Sequence, residues 1–177
     1  MAAKMVFPER KVVALAGAYV FADFCSGRLE AFVLRDGVAR QHRELGPVVE
    51  SLASFGQDAV GELYVTDTLN SRVQVFSAEG EVLVRKFGQR GLYLGNLVRP
   101  KGVSVDSEGN VYVVESYYDS LLVFSARGEF LLPIGGTGTS TGRFYLPSGV
   151  WVDARNRVHI ADMFNGRVVL FQFLGGS

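Results

Sequence analysis

The side chains in this sequence that could do chemistry are few, and most of them recur. His42 and His159 stand far apart, and neither has a Cys or His neighbour at metal-ligand spacing. A histidine-based metal site would therefore need a partner chain. His42 sits in the charged stretch Gln41 to Glu44 and is expected to be solvated; His159 alternates with Val158 and Ile160, as a hydrogen-bonded histidine of a sheet would. The one cysteine, Cys25, cannot form an internal disulfide. Arg28 is near it, but no histidine stands within the local motif to act as a base, so an inert small residue is expected. The Gly-rich run Ile134 to Phe144 lacks both the lysine and the following helix of a phosphate-binding loop, and reads as a connection.

The remaining candidates are acid and arginine pairs at a spacing of five residues: Asp23 with Arg28, Asp67 with Arg72, and Asp162 with Arg167. A catalytic pair is used once in a chain, whereas this one is used three times. It is expected to be an ion pair or turn hydrogen bond that braces a loop. Glu115 and Ser120 occupy the same places in a further segment, which is expected to lack the brace.

The elements that carry these pairs emerge when four segments are aligned: YVFADFCSGRLEAF, LYVTDTLNSRVQVF, VYVVESYYDSLLVF and VHIADMFNGRVVLF. Each opens with an alternating apolar strand ending on the acid and closes with a second strand ending at Phe32, Phe76, Phe124 or Phe171. The acids are separated by 44, 48 and 47 residues. Upstream, RPKGVSVDSEGN and LPSGVWVDARNR supply an inner strand and a turn; downstream, FSAEGEVLVRKFG and FSARGEFLLPIGG supply a turn and an outer strand. Four strands per unit at this period predict an all-β fold, a β-propeller of four four-stranded blades spanning approximately 1–46, 47–90, 91–136 and 137–177 as one domain.

At 177 residues, with 48% hydrophobic and 20% charged residues, the chain is long and apolar enough for a packed core. Eighteen basic residues cancel eighteen acidic ones, so no net field draws it to nucleic acid or anionic lipid. The apolar run Val12 to Ala22 is too short to span a bilayer. It could pass for the core of a signal peptide, but Tyr19 to Phe24 falls in register with the later units and is expected to be a strand.

From about Asp67 to the end, the segments DTLNSRVQVFSAEGEVLVRKFG, RPKGVSVDSEGNVYVVESYYDSLLVFSARGEFLLPIGGTG and GRFYLPSGVWVDARNRVHIADMFNGRVVLFQFLGG resemble NHL-repeat β-propeller proteins. The first third, with GAYVFADFCSGRLEAF and SLASFGQDAVGELYVTD, looks more like a blade of the pyrroloquinoline-quinone-dependent sugar dehydrogenases or their non-enzymatic relatives. Natural divergence and the joining of two fragments both fit the junction near Asp67. The resemblance implies a binding module that is often exported, and commonly six blades. About four are present. They could close as a four-bladed ring, with Ala3 to Phe7 pairing beside the last repeat, which has no residues for its own outer strand; or they could form a half-ring completed by a second chain, a homo-oligomer.

In such a blade the loop between the second and third strands and the connection to the next blade open on one side. That side would gather Phe24, Leu69, Tyr117, Tyr118, Met163 and Phe164 with Leu92, Tyr93 and Tyr145. These residues would either recognise a protein or pack between blades. The expected function is a non-catalytic, cofactor-free scaffold that binds a protein partner through this loop face, alone or within a larger assembly. The alternative is a degenerate enzyme related to the quinone-dependent sugar dehydrogenases.

Overall fold

The computed structural model describes residues 3–6, 15 and 17–172. Four antiparallel sheets follow one another along the chain. The first contains β1 (Ala3–Val6), β2 (Ala18–Ala22), β3 (Arg28–Arg35) and β4 (Val38–Val48), and the second β5 (Leu52–Gln57), β6 (Leu63–Asp67), β7 (Arg72–Phe76) and β8 (Leu83–Phe87). The third contains β9 (Pro100–Val105), β10 (Val111–Glu115), β11 (Ser120–Phe124) and β12 (Phe130–Gly135); the fourth contains, among the described residues, β13 (Pro147–Val152), β14 (Arg157–Asp162) and β15 (Arg167–Gln172). Among the described residues, no helix is long and apolar enough to cross a membrane.

Each sheet pairs strands that are neighbours in sequence, so the hydrogen-bond ladders are local and the sheets cohere by packing face to face. Three apolar clusters fill the three gaps. Val20, Ala22, Leu29 and Ala31 of the first sheet meet Leu63, Val65 and Phe76 of the second. Tyr64, Val73 and Val75, on the second sheet's other face, meet Val111, Val113, Leu122 and Phe124 of the third. Tyr112, Val114, Leu121 and Val123 then meet Val158 and Ile160 of the fourth. The middle strands are therefore apolar on both faces, and β10 and β11 are buried throughout.

Inner strands β1, β5, β9 and β13 run side by side in that order. Their approach is close: a Cβ on Gly102 of β9 would lie 2.7 Å from the backbone nitrogen of Val150 in β13. At the outside, Gly128 turns with φ +83° and a Cβ there would stand 2.5 Å from Phe87 of the preceding sheet. Glycine is required at both places, once for proximity and once also for the left-handed backbone. Hydrogen bonds pin the sheets together as well: Thr66 and Thr68 donate to the carbonyls of Lys101 and Pro100 at 2.7 and 2.8 Å, and the Val152 N–H donates to Ser104 Oγ at 3.0 Å.

The structure corrects one expectation about the N-terminus. Residues 3–6 pair with β2, in the register Ala3↔Ala22 to Val6↔Tyr19, as the inner strand of their own sheet and not as an outer strand of the last repeat. Phe7 lies outside the described residues. Of the two arrangements open to the sequence, the structure takes the open one. Among the described residues no strand pairing joins the fourth sheet to the first, and packing of the inner strands runs from β1 through β5 and β9 to β13. A ring closed by four sheets would have to bury Trp151, Val168 and Leu170, yet these are 60%, 68% and 52% exposed.

Candidate interaction surface

One side of the array is built from two kinds of loop, and hydrogen bonds tie each kind to the other. Ser51 N–H donates to the carbonyl of Phe24, Ser116 N–H to that of Arg99, and Phe164 N–H to that of Tyr145, all at 3.1 to 3.2 Å. The loops after β2, β10 and β14 are thus seated against the connections between sheets, as strand alternation requires.

Buried carboxylates hold these seats. Asp162 is wholly buried and accepts from Arg167 Nε and Asn165 Nδ2, both at 2.8 Å, and from the Tyr145 N–H at 2.7 Å. Arg167 donates onward to the carbonyls of Thr139, Ser140 and Arg143, which fastens the Gly-rich connection. Burial raises the Asp162 pKa, but the donors from Tyr145, Asn165 and Arg167 outweigh it and hold the carboxyl below its ordinary value. Asp67 accepts from Arg72 Nε at 2.7 Å, Asn70 Nδ2 at 2.9 Å and Gln74 Nε2 at 3.0 Å. In the third sheet Glu115 has no arginine at this place, and instead accepts the N–H groups of Val98, Arg99 and Tyr117 at 2.7 to 3.0 Å.

Asp23 and Arg28 do not pair. Asp23 is exposed and accepts the N–H groups of Cys25 and Ser26 at 3.0 and 2.8 Å, the Ser26 bond being the main cause of its lowered pKa. Arg28 faces Glu44 of β4 at 3.8 Å. The expected brace fails because the residue three after the acid is Ser26, where the other two braces have Asn70 and Asn165.

On this scaffold the loop residues lie at varied depths. Tyr93 is 84% exposed, Leu69 71%, Phe164 60%, and Tyr117 and Met163 54% each, with Leu92 and Leu94 also open. Phe24 and Tyr118 are half-buried, and Tyr145 is at the border of exposure. The aromatics cluster in edge-to-face pairs: Tyr117 with Tyr118, ring centroids 5.0 Å apart, and Tyr145 with Phe164 at 5.4 Å. Tyr118 also walls a cleft of about 270 Å³ with Leu92, Tyr93, Leu94 and Pro133.

The opposite side repeats a motif that the sequence reading passed over. Asp58, Asp106 and Asp153 each accept the N–H groups two and four residues ahead and a side chain six ahead, from Tyr64, Tyr112 and His159. The signal was visible as an aspartate at the start of each inner turn, in QDAVGELY, VDSEGNVY and VDARNRVH. Burial raises the pKa of Asp153, and the N–H groups of Arg157 and Arg155, with the Arg157 and His159 side chains, bring it well below the carboxylate range. Burial pushes the Tyr64 phenol up to about 12. The turn aspartates thus have their donors within the protein.

The remaining chemical candidates are dispersed. His159 lies on the fourth sheet, 3.4 Å from Asp153 and stacked at a tilt on Trp151. His42 lies on the first sheet, 2.6 Å from Glu30 and stacked on Phe21, so it is partnered as well as solvent-facing. Cys25 is exposed. Among the described residues, no three His, Cys, Asp or Glu side chains stand where they could hold a metal ion.

Comparison with known proteins fits this geometry. A family model described as a 6-bladed beta-propeller matches residues 96–177. The chain superposes on a streptogramin B lyase with a TM-score of 0.62 at 10% identity, covering 89% of this chain and 52% of that one. The protein folds as an all-β propeller. An auxiliary nutrient binding protein from Bacteroides thetaiotaomicron gives a TM-score of 0.63 at 11% identity, over 86% of this chain and 45% of that one. The WD40 repeats of RRP9 give 0.60 at 10% identity, over 96% and 50%. The chain spans about half the length of these propellers. No curated protein sequence matches it.

Proposed function

We propose that this chain is a non-catalytic propeller module of the NHL type that binds a protein partner through the rim formed by Leu69, Leu92, Tyr93, Tyr117, Tyr145, Met163 and Phe164. The observation that carries this reading is the exposure of these apolar and aromatic side chains together on one side, on loops that buried carboxylates hold in place. Exposed aromatics on a rigid frame lose little conformational entropy on binding and are the residues that dominate protein interfaces. The same architecture serves a lyase, a nutrient-binding protein and WD40 repeats among similar structures, so the fold does not choose the function and the rim must. The positions of the two histidines support a non-enzymatic role, because each is engaged by its own carboxylate on a different sheet.

Selection of a displayed peptide library against the full chain tests the proposal. Bound peptides are expected to lose at least about tenfold in affinity on Tyr93→Ala, Tyr117→Ala or Phe164→Ala, while thermal unfolding stays unchanged. Peptides indifferent to all three substitutions, or unfolding caused by them, would overturn it.

A further inference from the structure

The three internal interfaces follow one rule. On each sheet, the face toward the next sheet presents four positions from the two middle strands: Val20, Ala22, Leu29 and Ala31 on the first, Tyr64, Thr66, Val73 and Val75 on the second, Tyr112, Val114, Leu121 and Val123 on the third. All twelve are buried. The same positions on the fourth sheet are His159, Ala161, Val168 and Leu170, with Trp151 beside His159 on β13. Here Trp151, Ala161, Val168 and Leu170 are exposed.

The face toward the preceding sheet obeys the same rule. It presents Leu63, Val65, Gln74 and Phe76 on the second sheet, Val111, Val113, Leu122 and Phe124 on the third, and Val158, Ile160, Val169 and Phe171 on the fourth. The first sheet places Tyr19, Phe21, Glu30 and Phe32 there, all half-buried, with Tyr19 stacked on Phe32 at 5.1 Å and Glu30 paired with His42, and among the described residues no sheet lies before them. The described array thus ends in two different faces, an exposed apolar one on the fourth sheet and a half-buried aromatic one with the Glu30–His42 pair on the first, and they carry the positions that form the two halves of the interface it makes three times inside.

We propose that a second copy of this chain covers both ends. The fourth sheet of each copy packs on the first sheet of the other, and two identical head-to-tail interfaces close a ring of eight sheets about a two-fold axis. One feature of the molecule selects a second copy. Continuity with the internal interfaces demands a sheet of this repeat type on each end, and one copy offers both kinds. Eight blades lie within the range that propellers adopt, and a heterologous contact that closes leaves no apolar end exposed.

Sedimentation velocity and fluorescence on the full chain test this together. The expected species has twice the 19.3 kDa chain mass. Trp151 is the one tryptophan, so its emission reports the fourth face directly: it should shift to the blue and lose iodide quenching as dilute monomer assembles. Leu170→Glu on the fourth face and Phe32→Glu on the first should each yield monomer, and mixing the two variants should restore a dimer through the one interface that remains intact. A dimer that survives either substitution would show a face pairing with itself. That result, open polymers, or a monomer whose Trp151 stays quenchable at high concentration overturns the proposal. The tryptophan readout on the unaltered chain keeps the test decisive if a variant does not fold.

Discussion

The fourth sheet and the first carry the same loop sequence pattern and treat it differently. Asp162 is buried beneath its loop and gathers an arginine, an asparagine and an incoming backbone N–H; Asp23, at the same place in its repeat, stays at the surface and caps only its own turn. The first sheet also has the longest hairpin, β3 and β4 running eight and eleven residues where β7 and β8 have five each. An arginine five residues after an acid therefore does not make a brace. Both braces that form include a third residue, Asn70 or Asn165, whose side-chain amide donates to the same acid, and at Asp162 the connection from the preceding sheet adds the Tyr145 N–H.

The largest effect that would break this comparison is expected from Asp162→Ala. It strips Arg167, Asn165 and the Tyr145 N–H of their acceptor, and should cost roughly 3 kcal/mol, the low end for a broken buried pair because Arg167 is 35% exposed. Urea denaturation measures this directly. Acid should separate the two sheets next. A carboxyl held below its unfolded value of about 3.9 adds stability that is complete above that value and is lost as pH falls through the folded pKa. The fourth sheet has two such groups, Asp153 and Asp162, and the first has Asp23. Hydrogen exchange between pH 5 and 3 should therefore show amides of the fourth sheet losing protection before those of β2 and β3, and Asp162→Asn should reduce the difference. A smaller change is expected from Ser26→Asn, which gives the first loop the missing amide: the urea midpoint should rise, by less than Asp162→Ala lowers it. Asp23→Ala should move the midpoint least of all, and a loss as large as that of Asp162→Ala would refute the distinction between the two loops.

Much of the framework is legible residue by residue. Alternation marks β6, β7, β10 and β11, and the recurring acid and arginine point to the contacts of Asp67 with Arg72 and Asp162 with Arg167. Asp23 with Arg28 misleads because spacing alone does not report burial. The turn aspartates Asp58, Asp106 and Asp153 were written in the sequence at regular places, but a turn aspartate looks ordinary until its side-chain partner six residues on is seen. Trp151 drew no notice, because nothing in its neighbours says which face of β13 will be covered.

By itself the sequence determined which stretches become strands and which residues turn the chain, since each ladder joins strands a few residues apart and each pattern is local. Only the tertiary structure decided that the four sheets form an open array, that β1 completes the first of them, and that Trp151, Val168 and Leu170 are left facing solvent. The physical reason is that closure depends on small rotations accumulated across three packed interfaces. Each rotation is set by the joint shape of side chains on two sheets, which no single segment contains.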